Sequence, residues 1–485
     1  MKSLEKWQLI SFISRGVAMA FGIIQSFVIL RILSVADWGI VQLAVSVGAS
    51  LGIYQHLGLA SASNREIAAS KKETDVFKVF VTSVTVRYCV TIPLAVGLFV
   101  FAPKIAKVYG FSEILLPLRI YAIVIFFQGA QAILNAVVAG TKRFKELFIY
   151  QMVIALVSVF IYIPMVYFYG ILGFFYALLM HEVIKTSVML VIALKPYYKN
   201  LRLPTKQEYK KTFKSLFSLG MSIYVVKILI INWEKSGTNL LGFTQNADLL
   251  GIYAFALLYA KKLMHVSDAA TDVNLPVFSE KYVKDIKGFK NLFAQNFNRI
   301  YTLIVFFAMS AIYWAYEIIN LLVGSGKYDA SIKYLVPMVF TFIFFSLINI
   351  LKSSVAIPAK LVKEMIIGFV VLFVATMAVY FLGRGLTADP LFSMSYAMLL
   401  GAGLSFGYLV FLLQKKLAFK FFTHAHTLIL VQALFVSVSG NLANLALKFI
   451  AYLLFVAFYI GGVYLAGFVT KKDFAFVTNK LLRRK

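Results

Sequence analysis

Ala36-Asp37-Trp38-Gly39-Ile40-Val41-Gln42-Leu43-Ala44 joins one apolar run to the next, and about 212 residues later Ala247-Asp248-Leu249-Leu250-Gly251-Ile252-Tyr253-Ala254-Phe255-Ala256 does the same. A second pair sits further along each half: Ala139-Gly140-Thr141-Lys142-Arg143-Phe144-Lys145-Glu146, and Ala356-Ile357-Pro358-Ala359-Lys360-Leu361-Val362-Lys363-Glu364. The chain therefore reads as a parallel repeat. Halves that repeat in one orientation are related by an axis along the membrane normal, and transporter sites lie at their interface near the midplane.

The runs that these stretches join are long. A bilayer core of about 30 Å needs about 20 apolar residues as a helix. Runs of that kind fall near 8–31, 39–59, 79–102, 114–139, 147–168, 171–194, 213–233, 249–276, 296–323, 332–356, 362–383, 391–413, 424–446 and 449–469. The expected fold is an all-α membrane protein of about fourteen transmembrane helices. Two pseudo-symmetric six-helix lobes (1–194 and 213–413) flank a basic linker at 195–212, and a terminal helix pair with a basic tail occupies 414–485.

Composition agrees. Of 485 residues 61% are hydrophobic and 14% charged, against about 25% charged in a soluble domain; mean hydropathy is +0.85. The net charge of +28 would suggest nucleic acid in a soluble protein. Here the cations sit between apolar runs, as the positive-inside bias requires, and no nucleic-acid partner is expected. Alternate connectors carry Arg65, Lys71, Lys72 and Lys78, then Lys142, Arg143 and Lys145, then the linker, then Lys281 to Lys290, Lys360 and Lys363, and Lys415 to Lys420, with both chain ends on the same side. The opposite connectors hold scattered charges such as Lys104, Lys327 and Arg384. Both termini are expected in the cytoplasm. The lone Cys89 excludes a disulfide framework within the chain, the histidines form no cluster of metal-ligand spacing, and the first apolar run reads as a span rather than a cleavable signal.

Ionisable groups at membrane depth are costly and face an interior cavity or a partner. The first run carries Ser11, Arg15, Gly22, Gln25 and Ser26 on one face; Arg15 either lines a lumen or snorkels to the inner headgroups. The third has Ser83, Arg87 and Thr91 at steps of four. Arg119 lies near the outer end of the fourth, as a lining group or an interface anchor. Lys227 lies well inside the seventh. The eighth shows a stripe of Lys261, His265, Asp268 and Asp272, which could also neutralise within one helix. His181, Glu182 and Lys185 cluster in the sixth. Arg15, Arg87, Arg119, Lys227 and Lys261 are the candidate cationic lining of a path for an anion. Glu182, Asp268 and Asp272 are the candidate sites for a coupling Na⁺ or H⁺; no metal or other cofactor is expected.

The opening segment Arg31-Ile32-Leu33-Ser34-Val35-Ala36-Asp37-Trp38-Gly39, followed by Leu57-Gly58-Leu59-Ala60-Ser61-Ala62-Ser63-Asn64-Arg65-Glu66-Ile67-Ala68, resembles the Wzx-type O-antigen and polysaccharide flippases of the multidrug/oligosaccharidyl-lipid/polysaccharide exporter superfamily. Gly251-Ile252-Tyr253 and Leu275-Pro276-Val277-Phe278-Ser279-Glu280 are similar to its second-half counterpart. The resemblance implies a bacterial inner-membrane flippase, not an enzyme. It would move an undecaprenyl-diphosphate-linked oligosaccharide to the periplasmic leaflet by rocking two lobes about a cation-lined cavity. Its partners would be that substrate, membrane lipids and other polysaccharide-assembly proteins. Two other readings compete. A cation-coupled multidrug exporter of the same superfamily is disfavoured by the basic lining. A polysaccharide polymerase or ligase is disfavoured by the lack of a large outer loop and of any nucleophile constellation.

Overall fold

The computed structural model describes the backbone of residues 2–70, 73–197, 202–438 and 444–469. In chain order its helices are α1 (Lys2–Ile32), α2 (Val35–Gly52), α3 (Leu59–Ala69), α4 (Glu73–Tyr109), α5 (Leu115–Gly140), α6 (Phe144–Leu194), α7 (Lys206–Gly242) and α8 (Ala247–Lys261). There follow α9 (Met264–Lys284), α10 (Ile286–Tyr313), α11 (Ala315–Val323), α12 (Ile332–Leu351), α13 (Val362–Gly383), α14 (Pro390–Leu417), α15 (His424–Val438) and α16 (Leu445–Leu465). No strand occurs among the described residues. Nine helices there are long and apolar enough to cross a membrane, or eleven when each of two bent pairs counts as one span.

Local chemistry sets many of the boundaries. Ser34 and Asp37 form a reciprocal capping box at α2, and Thr205 with Glu208 does the same at α7; each satisfies two amide groups that the first turn leaves bare. Asp389 caps α14, with Pro390 in the first turn where its missing N–H costs nothing. The long α6 is two arms. At Gly170 the backbone leaves helical geometry (φ 54°, ψ −128°), and the chain doubles back: Tyr150 Oη donates to the Lys185 carbonyl at 2.9 Å, and Arg143 Nη2 to that of Ile192 at 2.6 Å. The boundary read between 168 and 171 falls on this turn.

Other runs depart from their expected form. The run at 39–59 is interrupted: α2 ends at Gly52, a tight turn follows, and α3 starts after Gly58. The run at 249–276 is divided at Lys262 and Leu263, whose amides bond three residues back instead of four. The run at 296–323 bends by 69° between α10 and α11.

The repeated stretches are repeated in backbone as well. Lys142 and Lys360 both adopt φ 59°. Their amides bond Ala139 and Ile357, and the next amides, of Arg143 and Leu361, reach Val138 and Ala356. This pair of bonds closes a helix through a left-handed residue. Gly39 and Gly251 meet reciprocally. A Cβ on Gly39 would lie 2.1 Å from the Ala247 carbonyl oxygen, and one on Gly251 would lie 2.0 Å from that of Val35. Only glycine permits such backbone approach.

The chain divides into two compact units, Met1–Ala254 with Leu322–Lys327, and Phe255–Leu321 with Tyr328–Lys485. In the first, α5 packs against α3, α4 and α6, burying Leu59, Ile133, Val137, Ile154 and Met189; α7 packs on α2, α3 and α4. In the second, α12 is the most enclosed helix, packed by α9, α10 and α14. Tyr301 and Tyr459 bolt the terminal pair to α10, donating to the carbonyls of His426 and Thr302 at 2.6 and 2.8 Å. Large apolar side chains stand exposed on both units, Phe168, Val100, Leu382 and Leu454 among them, as lipid-facing positions require.

Candidate functional site

The break between α2 and α3 decides the chemistry of the first unit. Gly58 takes φ 67° where its backbone meets Gly220 of α7; a Cβ would lie 2.1 Å from the Gly220 carbonyl oxygen. That contact turns Gln55 and His56 toward α4. Arg87 of α4 is fully buried. One guanidinium nitrogen, Nη2, contacts His56 Nδ1 at 3.4 Å, while Nε and Nη1 have no hydrogen-bond partner. One turn on, Thr91 Oγ1 lies 2.9 Å from Gln55 Oε1. Lys227 of α7 lies within electrostatic reach of both Arg87 and His56.

Two cations and an imidazole thus share one buried region, and no carboxylate hydrogen-bonds Arg87 among the described residues. Removing a cation from water costs of order several kcal/mol unless an anion or a set of hydrogen bonds replaces the lost solvation. The open Nε–H and Nη1–H donors lie on the two edges of the guanidinium that flank Nη2, and each can take a phosphate oxygen. The arrangement can hold an anion.

The other candidates lie elsewhere. Arg119 rests over the Phe99 ring, 5.1 Å from its centroid. Glu182 is 4% exposed in the second arm of α6; Oε1 takes the Lys185 ammonium at 2.6 Å and Oε2 has no partner. Tyr121 and Tyr162 are its electrostatic neighbours. In the second unit Asp268 accepts from Asn349 Nδ2 at 2.9 Å. Two turns on, Asn274 Nδ2 donates to Asn296 Oδ1 at 2.9 Å and to Ser354 Oγ at 3.0 Å. Ser354 belongs to a π-helical turn, Lys352–Ala356, a feature frequent at functional sites. Lys261 and His265 flank the interruption between α8 and α9, so the expected stripe is not carried by one uniform helix; Lys262, also close to His265, joins them. Arg15 and Asp272 have helical backbone, and their side chains are outside the described residues. No group of three or more His, Cys, Asp or Glu suited to a metal occurs among the described residues.

Sequence reading missed His56, Gln55, Asn349, Asn274 and Ser354. The signal was present as polar residues inside apolar runs, but only the fold brings each to its partner. A groove of about 430 Å³ between α2, α4 and α7, lined by Val47, Leu51, Phe101, Ile105 and Val108 with Lys104 and Asn239 at its edge, is separate and apolar.

Long apolar helices in this number define a multi-pass membrane protein. The chain belongs to the polysaccharide biosynthesis protein family, whose model matches residues 28–333. No curated protein matches it by sequence. The chain is similar to the lipid II flippase MurJ in an inward closed conformation (TM-score 0.70, 15% identity, covering 98% of this chain and 100% of that one). It is also similar to an inward-facing multidrug resistance MATE family transporter of the MOP superfamily (TM-score 0.62, 13% identity, 83% and 94%). A third similar structure is a point mutant of the Vibrio cholerae MATE transporter VcmN (TM-score 0.57, 12% identity, 86% and 97%).

Proposed function

We propose that the protein is a flippase that carries an undecaprenyl-diphosphate-linked oligosaccharide, an O-antigen or related repeat unit, from the cytoplasmic to the periplasmic leaflet of a bacterial inner membrane. The observation that carries this reading is the buried Arg87, with two open guanidinium nitrogens and with His56 and Lys227 beside it. A diphosphate supplies the missing charge, while the lipid tail stays in the bilayer. Membership of a polysaccharide biosynthesis family supports the glycan.

Fourteen crossings are supported when the arms of α6 are counted separately, each bent pair once, and the short apolar helices Gly16–Ile32 and His424–Ser437 once each. With an even count both termini lie on the basic, cytoplasmic side. Six helices per half plus the terminal pair then form an alternating-access machine. Glu182 and Asp268 are the carboxylates to which a coupling H⁺ or Na⁺ would bind, and other polysaccharide-assembly proteins are its natural partners.

The multidrug reading fits less well, because a cationic drug gains nothing from Arg87 and Lys227. A polymerase or ligase would need a group that attacks or activates the donor, and the transport kinship of the fold offers no support for one. Cells dependent on this protein are expected to lose surface glycan on Arg87→Ala or Lys227→Ala while keeping folded protein in the membrane. Normal export in both variants would overturn the assignment.

A further inference from the structure

We infer that Lys327 is a positioning residue, a detachable clasp that fastens the strap Leu322–Lys327 to the end of α1. The strap joins α11 to α12 in sequence, yet it packs with the first unit. Lys327 Nζ donates to the carbonyls of Leu30 at 2.7 Å and Arg31 at 3.0 Å, and to that of Leu33. In the reverse direction Arg31 Nε donates to the Leu322 carbonyl at 2.8 Å.

The chemistry matches. The last turn of a helix leaves carbonyls without amide partners and carries the negative end of its dipole. An ammonium has three donors, and here each finds a carbonyl at the end of α1. Asp37, in the capping box that starts α2, is the nearby carboxylate. Burial pushes the Lys327 ammonium below its ordinary value, against the opposing pull of Asp37. The clasp is therefore a cation held mainly by neutral dipoles. Gly324 and Gly326 take φ 109° and 80° with open space where a Cβ would stand. Beyond the buried Val323, the strap has open space at both glycines up to Lys327.

This inference rests on the transport reading. Under that reading the end of α1 lies on the outer side, and a transport cycle that opens this side must free it from the strap. Lys327 then biases the protein toward the state in which the outer end of α1 is covered.

The test replaces Cys89 with serine and places a single cysteine at Leu33, which is buried beneath the clasp. Its reaction with a membrane-impermeant maleimide is followed in nanodiscs. Lys327→Met is expected to raise the labelling rate about tenfold, the scale of losing hydrogen bonds to a charged donor, while Lys327→Arg stays near the parent. A parent-like rate in folded Lys327→Met overturns the clasp. Should that variant fail to fold, Arg31→Gln removes the reciprocal bond and carries the same expectation and the same refutation. The readout needs no substrate. Raised labelling in Lys327→Met with normal glycan export in both Arg87→Ala and Lys227→Ala would leave the clasp standing and remove the flippase assignment.

Discussion

Arg87 and Lys448 are both almost completely buried cations, and the fold treats them in opposite ways. Lys448, at the start of α16, is 5% exposed. Its ammonium takes both oxygens of Glu317 at 2.7 and 2.9 Å and lies over the rings of Tyr313 and Trp314, 5.3 and 5.4 Å from their centroids. Arg87 has one long contact to an imidazole. Burial of a cation is therefore not in itself a sign of function in this molecule. What marks a site is the anion that the protein does not supply.

The largest expected difference between the two is in transport. Arg87→Met should abolish surface glycan export, whereas Lys448→Met, if it folds, should leave most of it. Equal loss in both would erase the contrast. Stability should move in opposite directions. Glu317→Ala strands the Lys448 charge and is expected to cost about 2 kcal/mol, the usual penalty reduced because Glu317 is partly exposed. Arg87→Met removes an unanswered charge and should stabilise the protein by about 1–3 kcal/mol. Thermal unfolding in one detergent measures both, and a destabilised Arg87→Met would mean that the protein itself answers this charge.

A third outcome sharpens the same point. Inorganic diphosphate should raise the melting temperature of the parent protein, as any ligand specific to the folded state does. It should leave that of Arg87→Met unchanged. Smaller still is the effect at the pair of Lys333 and Asp389, 2.9 Å apart. Burial pushes the Asp389 carboxyl up, but bonds from Lys333, Tyr334 and the Phe392 amide bring it below the ordinary aspartate range. A lowered folded-state value means the contribution is complete above about pH 4, the unfolded range, and is lost as pH falls through the folded value. Asp389→Ala should cost about 1 kcal/mol at neutral pH, the worth of a helix cap, and the gap from the parent should narrow in acid.

Much of this was legible in the sequence. Apolar runs marked the helices, and the turn at Gly170 fell between two of them. The paired stretches around Gly39 and Gly251 proved to touch each other, and Lys142 and Lys360 share a rare backbone conformation. Arg87 stood out because a charge at its depth needs a reason. The breaks after Gly52 and at Lys262 were hidden, because Ile53-Tyr54-Gln55-His56-Leu57 is hardly more polar than helical neighbours and tertiary contact with Gly220 fixes the turn. The partners of Asp268 and Asn274 were hidden for a similar reason. Asn349 and Ser354 sit about 80 residues away in the chain, on α12 and the π-helical turn that follows it, and Asn296 sits 22 residues away on α10.

The buried cluster around Arg87 is the proposed holder of the diphosphate of a lipid-linked glycan. Native mass spectrometry of the protein released from nanodiscs loaded with a polyprenyl-diphosphate oligosaccharide tests it directly. The parent protein should retain one such lipid, and Arg87→Met should retain at least about tenfold less, the scale expected for losing charge-assisted bonds. Equal retention by the two proteins would contradict the account.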